Sequence, residues 1–224
     1  QDAELAAGWL FTESLVRERS DLLGLRHCTA AETAQAGNIL NVFLSPGVEL
    51  SPGRLQREGL IVSSCGLCGK DSIDAVHQHF PPIHAKVQVR AETVLGLPDK
   101  LRAAQSAFDR TGGLHAAGLF NRQGDLLFAR EDIGRHNAVD KVIGRGFLDR
   151  LLPWAEHLLL VTGRASFEIM QKALAARIPV VCAVSAPSSL AVEFARESGQ
   201  TLIGFLRGNR FNVYAGVERV ASGG

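Results

Sequence analysis

A chain of 224 residues can bury a substantial core in one large or two small domains, and 46% hydrophobic with 21% charged residues is the composition of an ordinary soluble globular protein. Its 24 Lys and Arg nearly balance 23 Asp and Glu, which excludes the broad positive footprint of a protein that coats nucleic acid or an anionic membrane, so an anionic ligand must be met by a local cluster. No apolar run approaches the roughly 20 residues of a membrane helix, and four scattered cysteines are too few for a disulfide framework and fit a reducing, cytoplasmic setting.

In chain order, Ala3 to Arg19 reads as a helix entered near its start, so upstream sequence is expected. Strands follow near Asn38 to Leu44 and Leu60 to Ser63, separated by the Pro- and Gly-rich Ser45 to Arg54. Cys65 to Lys70 comes next, and Asp71 or Ser72 can cap a short helix running to about Phe80. Lys86 to Val94 alternates as a strand does or extends the previous element. The cysteine pair therefore falls in a strand-to-helix loop, and residues 1–95 are expected to form a smaller N-terminal α+β part that carries it.

After Pro98 the pattern becomes regular, starting with a helix over about Asp99 to Asp109. The apolar runs Gly113 to Phe120 and Leu126 to Arg130 flank the turn Asn121-Arg-Gln-Gly124 and predict an antiparallel hairpin. Helices are expected over Asn137 to Leu148, Ser166 to Arg177 and Ser189 to Ser198. Strands are expected over His157 to Val161, Val180 to Val184 and Thr201 to Leu206. Such alternation implies a largely parallel sheet with helices on both faces across residues 96–224.

Ligands of such sheets gather beyond the carboxyl ends of the strands, where helix N-termini present free N–H groups. The segments at those ends are small and polar: Arg130 to His136, Thr162 to Ser166, Ser185 to Ser189 and Arg207 to Arg210. Together they make a pocket suited to a large phosphorylated ligand.

The pair Cys65-Gly-Leu-Cys68 admits three readings. It supplies half a zinc site, with His77, His79 or His84 as further ligands; it cycles as a dithiol; or it offers one nucleophilic thiolate on a loop freed by Gly66 and Gly69. His77 and His79 do not share a helical face, and no thioredoxin-like βαβ unit surrounds the pair. Cys182 reads as a small core hydrophobe, and Cys28 carries no signal. His115 and His136 are either hydrogen-bonded structural residues or part of the site wall.

Six strings in order, Ser64 to Lys70, Gly112 to Ala117, Arg130 to Lys141, Gly163 to Glu168, Ser185 to Ala191 and Gly204 to Arg210, make the chain resemble the formate dehydrogenase accessory sulfurtransferase family. The resemblance implies a homodimeric sulfur carrier. It would take sulfane sulfur from a cysteine desulfurase and pass it to the molybdenum bis-molybdopterin guanine dinucleotide cofactor, or its tungsten counterpart, of formate dehydrogenase. By the same resemblance Cys65 carries the persulfide, Cys68 assists or relieves it, and Phe205, Leu206, Arg207, Gly208, Asn209 and Arg210 bind the cofactor. Gly163, Arg164, Ser185 and His136 would complete the wall, guanosine diphosphate would mimic half the cofactor, and no structural metal is expected.

The same resemblance implies that the second domain is a three-layer α/β/α, cytidine-deaminase-like unit with a mixed sheet. Deaminase chemistry is not expected, because His136-Asn-Ala138 lacks the proton-shuttling Glu and Arg164-Ala-Ser-Phe167 lacks the cysteine ligands. The alternative function is a cofactor chaperone whose cysteines are structural or bind zinc.

Overall fold

The computed structural model describes residues 1–28, 36–49 and 70–221. Helix α1 (Asp2–Thr12) leads to an antiparallel ribbon of β1 (Leu22–His27) and β2 (Leu40–Leu44), then α2 (Lys70–His79), β3 (Val89–Arg90), α3 (Ala91–Ala103) and α4 (Ser106–Thr111). The main unit runs β4 (His115–Phe120), β5 (Leu126–Asp132), α5 (Arg135–Leu148), β6 (Leu158–Val161), α6 (Phe167–Ala175), β7 (Val180–Ala183), α7 (Ser189–Glu197), β8 (Thr201–Arg207) and β9 (Arg210–Ala215). A last short strand, β10 (Val220–Ala221), pairs in parallel with β3.

The six-stranded sheet has the order β5-β4-β6-β7-β8-β9. Only β6 with β7 and β7 with β8 pair in parallel, and the other neighbours are antiparallel. The sheet is therefore mixed, where helix and strand alternation alone implied a largely parallel one. The difference comes from the β4–β5 hairpin on one side and from β9 on the other.

Alternation along the strands sorts side chains between two faces. Leu159, Val161, Val181, Ala183 and Leu202 join a core with α5, α6 and α7, whereas Leu158, Leu160, Val180, Cys182 and Ile203 pack with Val94, Leu97 and Leu101 of α3. Helices thus cover both faces. Ile73 of α2 belongs to the first of these cores, and α1 lies across α5 where Gly8 and Gly144 face each other's helix. A Cβ on Gly144 would sit 1.8 Å from the Glu4 carbonyl oxygen, so only glycine permits this approach.

Two helices depart from their expected bounds. Helix α1 stops at Thr12 instead of Arg19, because Ser14 turns the chain at φ +60° and Leu15 and Val16 then fold into the core. Helix α3 begins at Ala91 and runs through Pro98, where a start at Asp99 was expected. Val94, Leu97 and Leu101 bury one continuous stripe on both sides of the proline, and that packing outweighs the missing hydrogen bond.

Candidate functional site at the carboxyl ends of the parallel strands

Strand β4 runs against both neighbours, so its first residue, His115, lies opposite Asp132 at the end of β5 and just past the end of β6. Short bonds stitch the segments after the strands together. Thr162 Oγ1 accepts from the Ala116 N–H at 2.8 Å, Ser188 N–H donates to the Ala165 carbonyl at 2.9 Å, and Phe205 N–H donates to the Ser185 carbonyl at 3.1 Å. Asp132, His115, Gly163, Pro187 and Phe205 therefore follow one another along a single rim.

Most charges of the segment Arg130 to Lys141 hold the rim in place. Arg130 grips Glu4 of α1 through two bonds of 2.6 and 2.7 Å. The Glu131 carboxylate accepts from the Ala107 and Phe108 N–H groups and so caps α4. Burial alone would raise the Asp132 carboxyl, but Lys141 at 2.6 Å, with the Gly134 N–H and Asn137, holds it below the ordinary carboxylate range. Asp140 meets Lys172 at 3.0 Å and Thr12 at 2.9 Å, which ties α1, α5 and α6. Burial there disfavours the Lys172 charge, and the Asp140 and Glu13 carboxylates outweigh it and keep Lys172 protonated.

Arg135 and His136 are left facing the rim at the start of α5. His136 Nε2 lies 3.1 Å from Ser166 Oγ, at the N-cap position of α6, and 3.9 Å from the Glu168 carboxylate. Burial, aided by the positive charge of Arg135, lowers the His136 imidazole from 6.5 to about 4, against the pull of Glu168, so it is neutral at pH 7. Burial works against the charge of Glu168, yet the Ser166 hydroxyl, the residue's own N–H, His136 and Arg135 hold its carboxyl below the ordinary value. The Ser166 hydroxyl thus lies between the His136 ring and the Glu168 carboxylate and links the two. Sequence reasoning singled out His136 but neither Ser166 nor Glu168 as its partners; the available signal was a serine at a strand-to-helix junction.

The last predicted strand end is the tip of the β8–β9 hairpin. Phe205 and Gly208 take left-handed conformations, φ +52° and +58°, at an irregular pairing between Gly204 and Arg207. The Arg207 guanidinium carbon lies 5.9 Å from the centre of the Phe205 ring, and Arg207, Gly208, Asn209 and Arg210 are all exposed. Leu206 turns into the core beside Ile203, so only its backbone faces the tip. Arg164 is exposed, Ser185 half-buried and Gly163 buried. Cys65 and Cys68 lie outside the described residues, as does the strand expected over Leu60 to Ser63. Cys182 is fully buried, and burial pushes its thiol up to about 12, which makes it inert. Among the described residues no three His, Cys, Asp or Glu side chains are grouped to hold a metal ion, and no helix is long and apolar enough to cross a membrane.

Over residues 1–221 the chain belongs to the FdhD/NarQ family. It is 51% identical over 229 residues to the sulfur carrier protein FdhD of Streptomyces coelicolor, with 98% of this chain and 80% of that one aligned. It is 50% identical over 226 residues to the protein of the same name in Mycobacterium tuberculosis, across 98% of this chain and 82% of that one. Among solved structures, a proposed formate dehydrogenase accessory protein from Desulfotalea psychrophila superimposes with a TM-score of 0.73 at 26% identity, covering 97% of this chain and 79% of that one.

Proposed function

We propose that this protein is a sulfur carrier serving formate dehydrogenase, with Cys65 as the carrying thiol and the strand-end rim as the seat of a guanine dinucleotide cofactor. The observation that carries the reading is half-sequence identity, across nearly the whole chain, to proteins named as sulfur carriers. The Cys65-Gly-Leu-Cys68 segment supplies the thiols. The Cys65 thiolate attacks the outer sulfur of a cysteine desulfurase persulfide; the donor's sulfur–sulfur bond breaks, its cysteine leaves as thiolate, and a persulfide forms on Cys65. Attack by the Cys68 thiol on the inner sulfur would then expel hydrosulfide and leave a Cys65–Cys68 disulfide, which is one way of relieving the persulfide.

The acceptor in this reading is the molybdenum or tungsten bis-molybdopterin guanine dinucleotide of the client. Arg207 and Arg210 at the hairpin tip offer guanidinium forks to its phosphates, Phe205 offers an apolar plate and Asn209 a hydrogen-bonding edge for the purine. Gly163, Arg164, Ser185 and His136 continue the wall. The protein acts as a homodimer in the cytoplasm, with 1–95 as the sulfur-carrying part and 96–224 as a cytidine-deaminase-like cofactor domain. Intact-mass measurement after incubation with a cysteine desulfurase and cysteine tests it. The wild type should gain one sulfur atom and Cys65→Ala none, and a wild type that gains none would favour a chaperone that binds cofactor without carrying sulfur.

A further inference from the structure

Among the described residues, Arg135 differs from every other arginine that the fold withdraws from solvent. Arg19 donates to the Leu22 carbonyl, Arg130 to Glu4, Arg145 to Asp149, Arg177 to the carbonyls of Pro81 and Pro82, and Arg219 to the Ala85 carbonyl. Arg135 is half-buried, as all of these are except the buried Arg219, yet it makes no hydrogen bond or ion pair among the described residues, and its Nε is fully buried without a hydrogen-bond partner. The only nearby charge it answers among them is that of Glu168, at a distance and without a hydrogen bond, and a buried N–H left without an acceptor is costly unless a ligand supplies one.

Its surroundings are shaped around it. The Arg135 side chain lies over Gly163, where an added Cβ would come within 3.3 Å of Arg135 Cδ and 3.4 Å of His115 Nδ1. The N-cap of α5 is Gly134, whose missing side chain leaves the N–H groups of Arg135, His136 and Asn137 without acceptors among the described residues. The nearest acids are already engaged, Asp132 by Lys141, Gly134 and Asn137, and Glu168 by Ser166. The positive end of a 14-residue helix and an arginine without a hydrogen-bond partner among the described residues therefore meet the same stretch of rim beside Gly163.

We infer that Arg135, with Gly163 beneath it, His115 beside it and the first turn of α5, forms an anion subsite for a phosphate or pyrophosphate group, separate from the exposed arginines of the hairpin tip. Phosphate fits because a guanidinium fork and backbone N–H groups match its several acceptor oxygens, and Ser166 and His136 close the neighbouring wall. The assignment deepens the proposed cofactor reading and rests on it for the ligand's identity, though not for phosphate binding itself. Two phosphate-binding points along one rim would hold an extended dinucleotide at both ends and so fix which way round it lies.

Calorimetric titration with inorganic pyrophosphate and with guanosine diphosphate tests this on the wild type, Arg135→Gln, Arg135→Lys and the Arg207→Gln/Arg210→Gln pair. Arg135→Gln should weaken pyrophosphate at least about tenfold, and Arg135→Lys should retain part of the affinity. The tip variant should lose guanosine diphosphate more than pyrophosphate. Thermal melting of each variant checks the fold, and phosphorus NMR of pyrophosphate with Gly163→Ala, which keeps the charge but fills the floor, gives a second reading with the same expected loss. Wild-type affinity in Arg135→Gln, or no pyrophosphate binding by the wild type, would overturn the subsite. Loss in Arg135→Gln, in a protein that gains no sulfur from the desulfurase, would keep the subsite and refute the carrier reading.

Discussion

Replacing His136 by Gln tests the electrostatics of the rim, because Gln can still hydrogen-bond Ser166 but cannot take a proton. The wild-type imidazole, only 24% exposed, falls from 6.5 to about 4 in the folded protein. Between those values the unfolded chain binds a proton that the folded one refuses, so acidification through this window favours unfolding. The full difference corresponds to about 3 kcal/mol, and partial solvent contact reduces it to roughly 2 kcal/mol. Urea denaturation at pH 7.5 and pH 4.5 measures it: on acidification the wild type should lose roughly 2 kcal/mol more than His136→Gln. Parallel losses in the two proteins would refute the reasoning, since His136 would then titrate as an ordinary histidine.

Gly144→Ala should destabilise by about 3 kcal/mol, read as a lowered melting temperature, because its Cβ would overlap the Glu4 carbonyl and force α1 away from α5; an unchanged melting temperature would mean the helices do not cross this closely. Arg207→Gln with Arg210→Gln should weaken guanosine diphosphate at least about tenfold by calorimetry, since each charge-assisted contact is worth about 1.5 to 3 kcal/mol. Unchanged affinity would move the nucleotide away from the hairpin tip.

The sheet's centre was legible because Leu158–Val161 and Val180–Ala183 are short apolar runs between turn signals, a pattern that buried parallel strands produce. The Asn121 to Gly124 turn likewise announced the β4–β5 hairpin, and Gly124 adopts φ +82°. Strand β9 gave no such signal, because Arg210–Ala215 is an edge strand whose exposed Arg210 and Asn212 dilute the apolar pattern. The helical run through Pro98 was hidden for a different reason: packing of Val94, Leu97 and Leu101 overrode a local breaker.

At the site, the polar strand ends were visible as strings, but their division of labour was not. Glu131 caps a helix, Asp140 anchors α1 and α6 through Thr12 and Lys172, and Arg130 clamps Glu4. These are contacts between residues far apart in sequence, which local pattern cannot reveal. Arg135 reads in the sequence like its charged neighbours, and only the partner of each of them sets it apart.

Isotope tracing follows the proposed passage of sulfur over Cys65. Cysteine carrying a heavy sulfur isotope would be supplied to a desulfurase, this protein and sulfur-deficient formate dehydrogenase, with peptide mass spectrometry at intervals. Heavy sulfur should appear on the Cys65 peptide before formate dehydrogenase activity rises and should leave it as activity grows, and Cys65→Ala should block both. Activation of the enzyme with no label ever reaching Cys65, or full activation by Cys65→Ala, would contradict the account.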